Sequence, residues 1–229
     1  MDPLESLKRA AAENAVNLVE NGMVVGLGTG STAKLAVQAL GTRLKDGLHI
    51  VGIPTSEATA EQARAVGIQV SSFADHTRID LTIDGADEIQ RATLDLIKGR
   101  GGALLREKIV ASASKQLVII ADETKLVDQL GGKFPVPVEV VTFGWQSSER
   151  KLRDLGARTE LRIKPNGQPF VTDGGNFILD CSFSPIPDPA ALDDQLNRIV
   201  GLVEHGLFLK MTSRAIVAGH DGVKVLLRQ

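Results

Sequence analysis

MVVGLGTGSTAKLAVQAL, residues 23–40, decides how the fold is read. Met23–Leu27 is a short apolar run, as a strand buried on both faces requires. GTGST at 28–32 is a glycine-rich turn, and Leu35, Ala36, Ala39 and Leu40 then fall at helical spacing. Strand, tight turn and helix in this order begin a βαβ unit. Upstream, Leu4, Leu7, Ala11, Leu18 and Val19 keep helical spacing, with Asp2 as N-cap, Pro3 in the first turn and Asn21-Gly22 as the stop. Downstream, the strand HIVGI (49–53) precedes the helix SEATAEQARAVG (56–67), capped by Ser56 or Glu57. IQVSSF, IDLTID (79–84) and QLVIIAD (116–122) are further strands, and a helix runs to about Ser112. Strands separated by helices at this spacing predict a mostly parallel sheet.

The pattern changes near Lys133. FPVPVEVVTF alternates, and its two prolines restrict it to an edge or a strand start. SSERKLRDLG is an amphipathic helix, RTELRIK a strand, and FVTDGGNFILDC a hairpin around residues 173–176. PAALDDQLNRIVG is a helix capped near Asp188, and VEHGLFL a strand. This order predicts a ferredoxin-like split βαβ unit. The tail RAIVAGHDGVKVL is apolar enough to rejoin the first sheet. The expected fold class is therefore α/β, with a Rossmann-like catalytic domain formed by 1–132 plus 206–229. A ferredoxin-like α+β domain, 133–205, is inserted into it.

Composition narrows the function. The 229 residues are 43% hydrophobic and 24% charged, as in ordinary globular proteins. The net charge of −2 supplies no basic field for nucleic acid. Aromatics are only 3%, with seven Phe, one Trp and no Tyr, so few rings are on hand to stack a base or sugar. The single cysteine, Cys181, excludes an internal disulfide and a four-cysteine zinc site, and reads as buried filler. His49, His76, His205 and His220 are scattered without ligand spacing, so no metal site is expected. No apolar run approaches the roughly 18 residues of a membrane span. MDPLESLKRA lacks the pattern of a signal peptide, so a cytoplasmic protein is expected.

Ligands of an open parallel sheet bind beyond the carboxyl ends of its strands. Those ends here are GTGST, Thr55-Ser56, Asp84–Glu88 and Asp122–Lys125. In the first, Gly28 and Gly30 let backbone N–H groups face an anion. Ser31 and Thr32 add hydroxyls, and the next helix offers its positive end. Gly28, Gly30 and Ala33 match a dinucleotide fingerprint, but no acid ends the second strand. A plain turn without ligand remains open. DGADEI at 84–89 places Asp84 and Asp87 around Gly85-Ala86. Two carboxylates near a phosphate turn repel it, which suits hydroxyls and a reacting proton; a Mg²⁺ site and a solvated turn are the rivals. KGRGGALLREK at 98–108 brings Lys98 and Glu107 to a flexible turn and the helix after it, and Lys125 follows a strand. Taken singly, each reads as an ordinary surface residue.

Together the motifs resemble a known family. GLGTGSTA (26–33), DGADEI (84–89), KGRGGALLREKIVAS (98–112), IADETK (120–125), GKFPVPVEV (132–140) and TDGGN (172–176) look like ribose-5-phosphate isomerase, type A, in the family's order and over nearly the whole chain. The resemblance implies interconversion of D-ribose 5-phosphate and D-ribulose 5-phosphate in the pentose phosphate pathway, without cofactor or metal. It implies Glu107 as catalytic base, with Asp84, Asp87 and Lys98 as its polar partners. Thr29, Gly30, Ser31, Thr32, Gly85, Ala86, Gly99, Arg100, Gly101 and Lys125 match substrate-binding positions. It also implies a homodimer or homotetramer, with a small sugar phosphate as partner and neither nucleic acid nor membrane. Arg100 departs from the pattern by standing where the family often has glycine. If that position needs a positive φ, the turn must adjust.

The chemistry agrees with the resemblance. Isomerisation removes a proton α to a carbonyl and returns it to the adjacent carbon, which one carboxylate can do. Burial near Leu104 and Leu105 would raise the basicity of Glu107. Lys98 suits a developing enediolate, and Asp84 and Asp87 suit ring opening. A sugar-phosphate sensor would need neither Glu107 nor Lys98. An amino-sugar phosphate deaminase/isomerase would want a catalytic His near its acids, and a CoA transferase is the third rival.

Overall fold

The computed structural model describes residues 3–183 and 185–228; Asp2, the expected N-cap, lies outside them. The helices are α1 Pro3–Val16, α2 Ser31–Lys45, α3 Glu57–Ala65, α4 Leu104–Ser112, α5 Trp145–Asp154 and α6 Pro189–Leu196. The first eight strands are β1 Val24–Leu27, β2 Val51–Pro54, β3 Gln69–Val70, β4 Ile79–Gly85, β5 Glu88–Gln90, β6 Leu96–Ile97, β7 Ser114–Asp122 and β8 Leu126–Val127. The others are β9 Val136–Val140, β10 Arg158–Leu161, β11 Phe177–Ser182, β12 Leu202–His205, β13 Leu207–Phe208, β14 Arg214–Gly219 and β15 Gly222–Leu227. The chain divides into two units: Met1–Ala86, Arg106–Lys125 and Lys210–Gln229 in one, Asp87–Leu105 and Leu126–Leu209 in the other. These borders differ from the expected 1–132 plus 206–229 and 133–205. The reason is strand pairing: β5 and β6 bond to β8 and β13, which draws residues 87–105 into the second unit.

The first unit is built on a seven-stranded sheet in the order β15-β14-β7-β4-β1-β2-β3. All its pairings are parallel except the β14–β15 hairpin. Val25, Leu27, Ile83 and Ile120 of the strands pack with Ala11, Ala15 and Leu40 of α1 and α2. Burying such side chains stabilises by about 1.5–3 kcal/mol each for the larger ones. Two devices fix the helices. Ser56 accepts the N–H of Thr59 and caps α3, worth about 1 kcal/mol. Gly26 lets α4 approach β1, since a Cβ there would lie 2.7 Å from Val110 Cγ1.

The second unit holds a four-stranded antiparallel sheet, β10-β11-β9-β12, and the helices α5 and α6. Its chain order, β9-α5-β10-β11-α6-β12, is the expected ferredoxin-like one. Val138, Val140, Leu152, Leu179, Cys181 and Leu196 form its core. Burial pushes the Cys181 thiol well up, which makes it filler rather than a nucleophile. Trp145 opens α5 and meets Phe177 edge-on at 6.4 Å. A second small sheet, β13-β6-β5-β8, completes the unit.

The prolines mark a strand start, as expected, and not an edge: Pro135 precedes β9, and Pro137, its second residue, needs only its carbonyl, which accepts the N–H of Gly206 where β12 has stopped pairing at Val138. Two expectations change. The turn at 173–176 does not join two strands: β11 pairs with β10, and Thr172 closes the turn by donating to the Asn176 carbonyl. VEHGLFL is two strands in two sheets, broken at Gly206. A Cβ at Gly206 would sit 2.2 Å from the Lys98 carbonyl, so the chain can pass there only as glycine. No helix of the described residues is long and apolar enough to cross a membrane.

Candidate active site

In the first unit, the carboxyl ends of β1, β2, β4 and β7 share one edge of the sheet. Register places Leu27 opposite both Pro54 and Ile83, and Asp84 opposite Ile119. The turn after β1 therefore lies beside Asp84. Asp84 Oδ1 accepts the N–H of Thr29 at 3.2 Å and of Gly85 at 2.7 Å. Backbone donors of this kind hold a carboxylate in one orientation. Gly30, at φ 108°, precedes α2 with no side-chain cap, so the first turn of that helix keeps the donors that suit an anion. Thr29 turns its hydroxyl inward, 2.7 Å from Thr55 Oγ1 and 2.9 Å from Ser56 Oγ. Ser31 Oγ accepts from Lys8 at 3.2 Å, and Thr32 stands in the first turn of α2.

Glu107 sits in the first turn of α4. The end of that helix is tied to the start of β4, since Ala113 accepts the N–H of Ile79 at 3.0 Å. The helix thus runs back along the sheet, with Glu107 toward the carboxyl edge. Side chains alternate along a strand, so Asp84 shares a face with Thr82. Thr82 bonds the hydroxyl of Ser114, which donates to the Val110 carbonyl of α4. Val110 faces the sheet at Gly26, and Glu107, one turn earlier on α4 and buried, falls on the same stripe of the helix. Neighbouring Arg106 pairs with Glu57 at 2.8 Å. Lys125 ends a single 3-10 turn, Glu123–Lys125, after β7 and is half-buried. Asp122 accepts the N–H of Thr124 at 3.1 Å and fixes that turn.

In the second unit, Asp87 Oδ2 accepts the N–H of Arg100 at 3.0 Å. Lys98 donates its N–H to the Gly206 carbonyl, and its ammonium lies 5.4 Å from the centre of the Phe208 ring. The turn after it uses left-handed backbone at Gly99 (φ 103°) and Gly102 (φ 83°) but not at Arg100. The arginine in place of glycine therefore costs no backbone strain. Its guanidinium stacks over Phe134 at 5.0 Å, and the exposed Gly101 follows it. Gly85 and Ala86, half-buried, lead from β4 to Asp87. Asp84, Lys98 and Glu107 are only 1%, 2% and 3% exposed. Buried charges are costly unless paired or put to use, and such groups cluster at functional sites. Among the described residues, no group of three or more His, Cys, Asp and Glu is placed to hold a metal ion.

The family model for ribose 5-phosphate isomerase A (phosphoriboisomerase A) matches residues 51–222. The chain belongs to the ribose 5-phosphate isomerase A family. It is an enzyme of the aldose–ketose isomerase class, as members of that family are. The family's ribose-5-phosphate isomerase A of Gloeobacter violaceus is 59% identical over 223 residues, covering 97% of this chain and 96% of its own. A solved D-ribose-5-phosphate isomerase in complex with phospho-erythronic acid superposes with a TM-score of 0.95 at 41% identity, covering 98% of this chain and 99% of its own. The ribose 5-phosphate isomerase of Plasmodium falciparum gives 0.94 at 42%, covering 99% and 100%.

Sequence reasoning missed four residues around these groups. Glu88 accepts the N–H of Gly131, Lys133 and Phe134 and so holds the loop that presents Phe134. Phe208 lies under Lys98. Arg162, just after β10, reaches the Gly99–Arg100 turn, and Asp180 on β11 holds Arg162. None carries a local motif; the only signal for Glu88 was its place in DGADEI.

Proposed function

We propose that this chain interconverts D-ribose 5-phosphate and D-ribulose 5-phosphate through an enediolate, with Glu107 as the general base. The observation that carries the reading is the burial of Asp84, Lys98 and Glu107, three ionisable side chains within 24 residues. In the open-chain aldose, the Glu107 carboxylate takes the C2 proton and later delivers it to C1, while a proton passes from O2 to O1. The Lys98 ammonium balances the negative charge that develops on the enediolate oxygens. Asp84 and Asp87 exchange protons with the ring and C1 oxygens when the furanose opens. Backbone donors of Thr29–Thr32 and Gly99–Gly101, the Gly85-Ala86 turn and the Lys125 ammonium hold hydroxyls and phosphate. Phospho-erythronic acid, bound by a solved relative, supports the reading, since its planar carboxylate has the shape of an enediolate.

A direct assay tests this: ribose 5-phosphate is supplied and ribulose 5-phosphate is measured. Formation at enzymic rates is expected, and binding without turnover would leave a sensor instead. Turnover is expected to survive EDTA treatment; activity restored only by Mg²⁺ would overturn the metal-free chemistry. We further propose a homodimer or homotetramer in the cytoplasm. Exposed Phe143 and Val200 on the second unit support association, and sedimentation measures it.

A further inference from the structure

Arg162 follows β10, where its N–H continues the ladder by donating to the Ile178 carbonyl at 2.9 Å. Its guanidinium is divided between two tasks. Nε and Nη2 donate to the two carboxylate oxygens of Asp180 on β11, at 2.9 and 2.5 Å. Nη1 donates to the carbonyls of Gly99 and Arg100, both at 3.1 Å. The Phe170 ring lies 6.0 Å from the guanidinium. The pair is mostly buried, with side-chain exposures of 15% and 23%. A two-point pair of this kind leaves the arginine one orientation.

One peptide links this clamp to a proposed catalytic group. The Gly99–Arg100 peptide accepts from Arg162 at its carbonyl and donates from its N–H to Asp87 Oδ2 at 3.0 Å. A trans peptide sends these two groups in opposite directions, so fixing the carbonyl also aims the N–H. The same argument holds for the Arg100–Gly101 peptide, whose N–H is aimed by the bond at the Arg100 carbonyl. The glycines on either side give the turn little stiffness of its own. A Cβ at Gly99 would stand 2.7 Å from Leu104 Cβ, so that residue cannot be traded for a stiffer one.

We propose that Arg162, locked by Asp180, is a positioning residue for turnover: it sets the Gly99–Gly101 turn and, through the Gly99–Arg100 peptide, the carboxylate of Asp87. The inference rests on the reading of Asp87 and Lys98 as catalytic. Misplacing catalytic groups by about 1 Å costs up to about a hundredfold in rate.

The experiment measures kcat and KM for ribose 5-phosphate, with thermal melting, for Arg162→Met, Arg162→Lys, Asp180→Asn, Asp87→Asn, Lys98→Met and the double variant Asp87→Asn/Arg162→Met. Arg162→Met is expected to lower kcat by about tenfold to a hundredfold with a smaller change in KM. Arg162→Lys recovers part of it, since an ammonium still reaches one carbonyl. The double variant is expected to be little worse than Asp87→Asn alone, because both remove one linkage. A lowered melting temperature with unchanged kcat, or fully additive losses in the double variant, would overturn the positioning role. Should Arg162→Met fail to fold, Arg162→Lys and Asp180→Asn decide: lowered kcat supports the proposal, and wild-type kcat in both overturns it. If Asp87→Asn and Lys98→Met themselves turn over normally, the catalytic reading fails, and the positioning role with it. Normal turnover by Arg162→Met beside impaired Asp87→Asn and Lys98→Met defeats the positioning role alone.

Discussion

Gly28 and Asp84 are in such close contact that a Cβ on Gly28 would stand 2.1 Å from Asp84 Oδ1. The carboxylate occupies the space a side chain would take, and from there it receives the N–H of Thr29. Gly28→Ala is expected to push Asp84 out of place. Stability should fall by about 1–3 kcal/mol, read by urea unfolding. Turnover per folded molecule should fall with it, since the displaced group is one proposed for ring opening. Unchanged turnover would separate Asp84 from the chemistry.

Arg100 needs no left-handed backbone, and its guanidinium lies over Phe134. Arg100→Gly is therefore expected to destabilise rather than relax the turn. The loss is about 0.5–1 kcal/mol from the ring contact, with added chain entropy from a further glycine. Chemical denaturation of the two proteins measures it, and a stabilised variant would contradict the geometry.

Asp80 carries a pH-dependent contribution. A hydrogen bond from Lys115, at 2.7 Å, holds its carboxyl below the usual carboxylate range, and the N–H of Val24 adds to this. A lowered folded pKa means stability that is present above the unfolded value and lost as pH falls through the folded one. Asp80→Asn should thus lower the urea midpoint at pH 7. The gap to the unchanged protein should narrow below about pH 4. An equal gap at both ends would point to lost packing instead of charge.

The parallel sheet was legible because its strands are buried on both faces. Val24–Leu27 and Leu117–Ala121 are continuous apolar runs, Ile79, Leu81 and Ile83 alternate with Asp80 and Thr82, and each strand is followed by a polar turn. The small sheet was not, because β6, β8 and β13 have two residues each, too few to show any period. Pro135 and Pro137 marked the start of β9, where a missing N–H costs little because β12 has already ended beside Pro137. At the site, glycines and acids stood out because a tight turn restricts what can occupy it. Arg162, Asp180 and Glu88 did not, since each acts across 18 to 63 residues of sequence, and no local spacing records such a partner.

Glu107→Gln tests the central claim most directly. The change keeps the size of a side chain that is 3% exposed and removes only its ability to take a proton. Ribulose 5-phosphate formation should drop by about a thousandfold, while ribose 5-phosphate still binds within a few-fold of its original affinity. Turnover close to that of the unchanged enzyme would show that another group takes the proton.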